Sequence, residues 1–390
     1  MKLAVNVIDP SLFTLPYDEH FVSALQEVGL DAVLIGRPLR KQEQAPEIPY
    51  ADHYYKTSDG IPKKRHRFRV LAKGIEHCRD TVNLSGLKRG VPTISHFQWL
   101  PFPLVDVYGM RIARRYGPVI ATVHDTSPFN GTPTSRLQLT GFIRALKLAD
   151  KIVVHTPSGL EKLAASGIHK RKMVCIPHGP MGDFGTLPRP SKNKTAKIVL
   201  FGKLRPYKGV DVLINALARL SVQERQGLKV IIAGEPLMDL GAIEQEIEVN
   251  NLHDTVDLRL SFLDFPEMRT LFASADAFVF PYREIEASGV LYMVHSLKRW
   301  IIASDIGAFS ETIADGLSGR LVPPENPDAL AQALREFAKL RPQPVEPVSL
   351  TGWNEIARKT AGIYKEALDG WYADVGKSSA MTGAGALKDG

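Results

Sequence analysis

The densest chemistry in this sequence is the run Phe201-Gly202-Lys203-Leu204-Arg205-Pro206-Tyr207-Lys208-Gly209. A glycine followed by three cations on one short turn suits a phosphorylated ligand. Gly202 lets a ligand approach the backbone, and a following helix offers free amides and a positive dipole end. Lys203, Arg205 and Lys208 can neutralise a diphosphate, each charged hydrogen bond contributing roughly 1.5–3 kcal/mol. The run lacks the Gly-Lys-Ser/Thr ending of a P-loop. A second candidate is His124-Asp125, where the histidine can orient a hydroxyl and the aspartate can accept a proton. Each has a plainer alternative: a basic surface turn for the first, and for the second a histidine bonded to its own loop beside a helix-capping aspartate. Asp18-Glu19-His20 is weaker, since N-capping by Asp18 accounts for it. There is no Asp-x-Asp, no His-Glu-x-x-His and no paired cysteine spacing, so no metal site is expected.

The elements that must position these residues alternate. Apolar β-type runs at 2–8, 32–35, 93–97, 119–124, 151–154 and 173–176 interleave with helical periodicity, for instance at 18–28 before Gly29. After an aperiodic Pro, Gly, Ser and Lys stretch the alternation resumes, with strands at 196–201, 230–233, 256–258, 277–280 and 301–303 and helices at 210–220 and 329–340. This predicts an α/β protein of two Rossmann-like, doubly wound parallel-sheet domains whose strand ends face a central cleft. The expected boundaries are 1–180 for the first domain, 181–195 for a linker and 196–345 for the second. A helix at 352–375 and a disordered tail at 377–390 follow. Residues 36–62 read as an irregular, polar excursion at the sheet edge.

At 390 residues, with 44% hydrophobic and 23% charged residues, the chain has the composition of a two-domain globular enzyme. No apolar stretch approaches the ~20 residues of a membrane-spanning helix, and the first apolar run is too short for a signal sequence. Two widely separated cysteines, Cys78 and Cys175, suit a reducing cytoplasm. The net charge of +7 is concentrated at Lys63, Lys64, Arg65, Arg67 and Arg69, beside Phe68, Val70 and Leu71. Basic heads beside apolar side chains fit peripheral contact with an anionic membrane, on the inner face of the plasma membrane, at up to ~1 kcal/mol per basic residue. A solvated helix face is the alternative. No aromatic interleaving supports nucleic-acid binding.

The 201–209 run resembles the diphosphate-binding turn of GT-B fold glycosyltransferases of the family 4 type, which commonly reads Gly-Arg-Leu and then Lys-Gly. Lys203 stands at the place of that arginine. The Arg205-Pro206-Tyr207-Lys208 variant resembles a bacterial exopolysaccharide subgroup that includes mannosyltransferases. Ser95 to Trp99, Thr122 to Asp125, Lys151 to His155, Ile176 to Gly179, Ala233-Gly234-Glu235, Phe280 to Arg283 and Ser310-Glu311 continue the register, over roughly residues 90–340. The resemblance implies a hexose donor linked to UDP or GDP, a lipid-linked or oligosaccharide acceptor, and no cofactor or metal. It places Glu235, Ser288, Gly289 and Val290 with Gly202, Lys203, Arg205 and Lys208 on the donor, His124 and Asp125 on the acceptor side, and the last helix against the first domain. The family's two glutamates are not matched: Ile285 and Met293 hold their places, and Glu286 beside the first is the substitute candidate. A nucleotide-sugar epimerase of the same fold, or a non-catalytic nucleotide-binding or partner protein, are the alternatives, and retention or inversion is open.

Overall fold

The structure, a computed structural model, describes residues 2–40, 43, 45–61, 66–87, 89–126, 136–182, 184, 187–188, 195–295, 297–345 and 350–385. The chain divides into two compact units, Met1–Gly179 with Thr351–Gly390, and Pro180–Leu350.

The strands of the first unit are β1 (Ala4–Ile8), β2 (Asp31–Gly36), β3 (Tyr50–Asp52), β4 (Thr93–Phe97), β5 (Val119–Val123), β6 (Lys151–Val154) and β7 (Met173–Cys175). They pair in the order β3-β2-β1-β4-β5-β6-β7, every pairing parallel. β1, β4 and β5 are buried along their whole length; β1 and β5 are largely apolar, while β4 also buries Thr93, Ser95 and His96. Strand order reverses between β1 and β4, and loops leaving the carboxyl ends of that pair diverge to form a crevice.

Three expectations change here. The segment at 36–62 contributes the edge strand β3, and Ser58–Gly60 forms a 3₁₀ turn. Asp18 is not an N-cap. Thr14 holds the N-cap position of the helix Leu15–Glu27, and Asp18 is buried in its first turn, accepting from Thr14 Oγ1 at 3.3 Å. The last helix, Trp353–Gly385, runs into the residues expected to be disordered, and 386–390 lie outside the described residues. It packs on Leu15–Glu27, with Tyr364 and Ile356 buried.

The second unit holds β8 (Ala196–Phe201), β9 (Leu228–Ala233), β10 (Val256–Arg259), β11 (Ala277–Phe280), β12 (Trp300–Ser304) and β13 (Gly319–Val322). Their order is β10-β9-β8-β11-β12-β13, again parallel, with the reversal between β8 and β11. One face of this sheet is covered by a core that includes Leu213, Leu217 and Leu334, and the other by one that includes Phe272, Phe280 and Phe309.

Candidate functional site

In the second unit the residues after β8 meet those after β11, at the strand-order reversal. Gly202 has φ +115, and a Cβ there would stand 2.9 Å from Lys208 Nζ and 3.3 Å from Val290 Cγ2. Glycine is therefore what lets the amine lie against the strand end. Gly209, at φ +64, is constrained more severely, since a Cβ would fall 1.9 Å from the Pro281 carbonyl oxygen. The turn is thus locked onto the loop after β11 by a contact only glycine permits.

Lys208 is buried, 5% exposed, and its Nζ donates to Tyr282 Oη at 2.6 Å and to the Phe201 carbonyl at 3.3 Å. Burial first, and the nearby Arg205 guanidinium second, pull its amine down to about 7. Among the described residues no carboxylate offsets that charge, so the amine is set for an anion. Tyr282 is fully buried, which drives its phenol well up, and it also hydrogen-bonds Ser288. Ser288 Oγ accepts from the Leu291 amide at 3.3 Å, heading the short helix Gly289–His295.

Two supports were not among the candidates read from sequence. Arg283 donates to Asp211 at 2.9 and 2.6 Å, to Glu325 at 2.9 Å and to the Pro206 carbonyl at 2.8 Å, clamping the cationic turn to its following helix. Tyr282 is the second. The remaining sequence candidates take different places. Lys203 is exposed and Arg205 half-buried. Glu235 contributes its backbone, accepting from the Leu204 amide at 2.9 Å. Glu286 is buried, its carbonyl accepting from Ala308 at 3.0 Å, while Glu284 is exposed. Ile285 and Met293 pack against the aromatic core.

The first unit collects a separate constellation at the carboxyl ends of β4, β5, β6 and β7. His124 stacks on Trp99 with centroids 5.3 Å apart. Its Nδ1 lies 3.1 Å from His155 Nε2, and its Nε2 lies 3.0 Å from Gln98 Oε1. Tyr17 sets its ring edge-on against His124, His155, His178 and Trp353. Burial, then repulsion from neighbouring imidazoles, drives His124 well below its ordinary value. Burial likewise holds His155 near 4 and His178 near 3. These rings are neutral at pH 7, and His124 acts as a hydrogen-bonding group rather than a cation. Asp125 follows it, half-buried. Beneath lie Asp9 and Asp18, both fully buried and both raised by that burial. Thr14 links them upward, bonding Asp18 and accepting from Trp99 Nε1 at 2.9 Å. Among the described residues no group of three His, Cys, Asp or Glu is placed to hold a metal ion.

Of the basic run, Lys63, Lys64 and Arg65 lie outside the described residues, as does the side chain of Arg67. Arg69 turns to Asp59 at 3.2 Å, where Arg40 and Lys73 also converge at 2.9 and 2.8 Å, so it is an internal ion-pair partner rather than a free surface charge. Phe68, Leu71, Ile75 and Val82 remain exposed on the helix His66–Val82.

The model for "Glycosyl transferases group 1" matches residues 195–339, which carry the whole Lys208 site. An MMP alpha-(1->4)-mannosyltransferase of Mycolicibacterium hassiacum is 30% identical over 289 residues, 66% of this chain and 68% of that protein. This chain belongs to the group 1 glycosyltransferases. A phosphatidyl-myo-inositol mannosyltransferase of Mycobacterium tuberculosis is 28% identical over 249 residues, 60% of each chain. The family member described here spans between 43% and 63% of the length of several other curated relatives, D-inositol 3-phosphate glycosyltransferases among them. Its fold is that of HepE from Anabaena, solved with UDP and glucose, at a TM-score of 0.66 and 15% identity over 97% of this chain and 100% of that one. The two parallel-sheet α/β units are thus those of the GT-B fold.

Proposed function

We propose that the protein transfers a hexose from a UDP- or GDP-linked donor to a lipid-linked or oligosaccharide acceptor in polysaccharide assembly. The observation that carries this is Lys208: a buried amine without a carboxylate partner among the described residues, at the strand-order reversal of the second unit, framed by glycines at 202 and 209. Lys208 and Arg205 meet the diphosphate, Ser288 and Val290 border it, and the leaving charge is neutralised by these cations without a metal ion. A preorganised donor of this kind contributes on the order of 10²–10³ in rate. His124, with Asp125 beside it, serves the acceptor side as a neutral hydrogen-bonding group, and Glu286 is the buried carboxylate beside the place that Ile285 fills.

A structural neighbour and a sequence relative support the reading. HepE was solved with UDP and sugar, and the tuberculosis relative is named for a phosphatidyl-inositol acceptor. Exposed Phe68, Leu71 and Ile75, following the basic stretch, support contact with an anionic membrane surface. Among the described residues no helix is long and apolar enough to cross a membrane.

The test is a melting and calorimetric screen against UDP, GDP, ADP and CMP, with and without divalent metal. One diphosphate should raise the melting temperature in the absence of metal, and Lys208→Ala should abolish the response. No response to any nucleotide refutes the donor site as built here.

A further inference from the structure

The hydrogen bonds around His124 determine where its proton sits. His155 Nδ1 lies 3.0 Å from the Ile176 carbonyl oxygen, which can only accept, so His155 carries its proton on Nδ1. Its ring is buried and neutral, leaving Nε2 with a lone pair alone. That lone pair lies 3.1 Å from His124 Nδ1, and a hydrogen bond there requires His124 to be the donor. The opposite tautomer would set two lone pairs against each other in a buried site.

Gln98 completes the chain. Its Oε1 faces His124 Nε2 at 3.0 Å, while its own Nε2 is buried without a partner. Turning the amide by 180° puts an N–H on the His124 lone pair, giving the buried amide nitrogen its partner and moving Oε1 to the other buried position. The proton order is therefore Gln98 to His124 to His155 to the Ile176 carbonyl. Gln98 and His155 are buried, whereas His124 is half-buried and is the member that a ligand can reach.

We propose that His155 is a positioning residue that holds His124 in the tautomer protonated at Nδ1, so that His124 presents an Nε2 lone pair to a substrate hydroxyl. That hydroxyl takes the place of the Gln98 amide and donates to the ring. It belongs to the substrates of the proposed glycosyl transfer, on which this role rests. The tautomer itself is fixed by the described contacts alone. Trp99, stacked on the ring face, and Tyr17, edge-on to it, keep the imidazole plane from rotating away.

The experiment is long-range 1H–15N correlation on the full chain labelled with 15N-histidine, His124 being assigned by its loss in His124→Gln. The parent protein should show the neutral Nδ1–H pattern for His124 near pH 7.5. His155→Phe removes the acceptor and should convert the pattern to Nε2–H or to a mixture, with kcat/KM falling on the order of tenfold or more. His155→Gln can accept from His124 and donate to Ile176, so it should restore both pattern and rate. Gln98→Leu should leave the Nδ1–H pattern intact, which keeps the test open if His155→Phe does not fold. An Nε2–H pattern in the parent, a pattern unchanged in folded His155→Phe, or one lost in Gln98→Leu overturns the assignment. An intact pattern with transfer unaffected in His124→Ala refutes the acceptor-side role instead and leaves the tautomer standing.

Discussion

Lys208→Met should make the ligand-free protein more stable while removing its response to nucleotides. Burial with Arg205 nearby brings the amine from 10.5 to about 7, which disfavours the buried charge by about 5 kcal/mol at most. The sign follows from proton counting. Between about 7 and 10.5 the unfolded chain holds a proton that the folded chain has released, so stability rises with pH across that window. Below about 7 both states are protonated and the full penalty applies. Methionine fills a similar volume without the charge, but it loses the bonds to Tyr282 and Phe201, each contributing about 1 kcal/mol. The net gain at pH 6.5 is then about 2–3 kcal/mol, or roughly 5–10 °C in melting temperature.

Melting curves of parent and variant at half-unit steps from pH 6 to 10 test this, since the difference between them cancels the other titrating groups. The difference should be greatest below pH 7 and shrink towards pH 10. The same amine should take up a proton when a diphosphate arrives: close to one per site at pH 8 and about a tenth at pH 6. Calorimetry in buffers of differing ionisation enthalpy reads that uptake. A Lys208→Met variant that melts below the parent at pH 6.5, with a difference independent of pH, would refute the account of a desolvated, uncompensated amine.

Other consequences can be measured as directly. Gly209→Ala should cost more than about 2 kcal/mol by urea denaturation, combining a left-handed backbone with a Cβ 1.9 Å from the Pro281 oxygen. An unperturbed midpoint would show the turn to be freer than described. Arg283→Met should release the turn from Asp211 and the Pro206 carbonyl, lowering stability by about 1–3 kcal/mol and weakening nucleotide binding with it. Binding at parental affinity would separate the clamp from the site. Asp9 and Asp18 are raised in the folded state, so their protonated form is favoured by folding. Stability should decline as pH climbs from about 4 through about 6, and Asp18→Asn should flatten that decline. A parent protein equally stable at both ends of that range would contradict the buried pair.

Most strands were legible because parallel strands covered on both faces leave largely apolar runs, although 93–97 also carries Thr93, Ser95 and His96. Residues 93–97, 151–154, 196–201 and 277–280 coincide with β4, β6, β8 and β11. β3 escaped because Tyr50-Ala51-Asp52 is short and only partly buried, and β13 because Gly-Arg-Leu-Val is short and carries an exposed arginine. The Lys208 turn was legible from its local composition, while Tyr282 and Arg283 were not, since only the β8–β11 pairing brings them to it. In the first unit a signal was present: a histidine stands one to three residues past the ends of β5, β6 and β7, at 124, 155 and 178. Each alone resembles an ordinary core histidine. Parallel pairing of those strands is what converts the recurrence into a cluster.

The two units reach similar electrostatic solutions from unrelated residues. In each, a polar group past a strand end, His124 after β5 and Lys208 after β8, has its charged form disfavoured by burial. A site built this way spends stability, because the buried amine and the paired acids would fold better as apolar residues. The cost has a chemical purpose only if a ligand restores what burial removed. A diphosphate would do so for Lys208 by supplying the missing counter-charge, whereas a hydroxyl on His124 would exchange one neutral donor for another. The apolar residues at 285 and 293 are consistent with this division. Among the described residues no carboxylate pairs with Lys208, whose amine is held by Tyr282 and the Phe201 carbonyl alone.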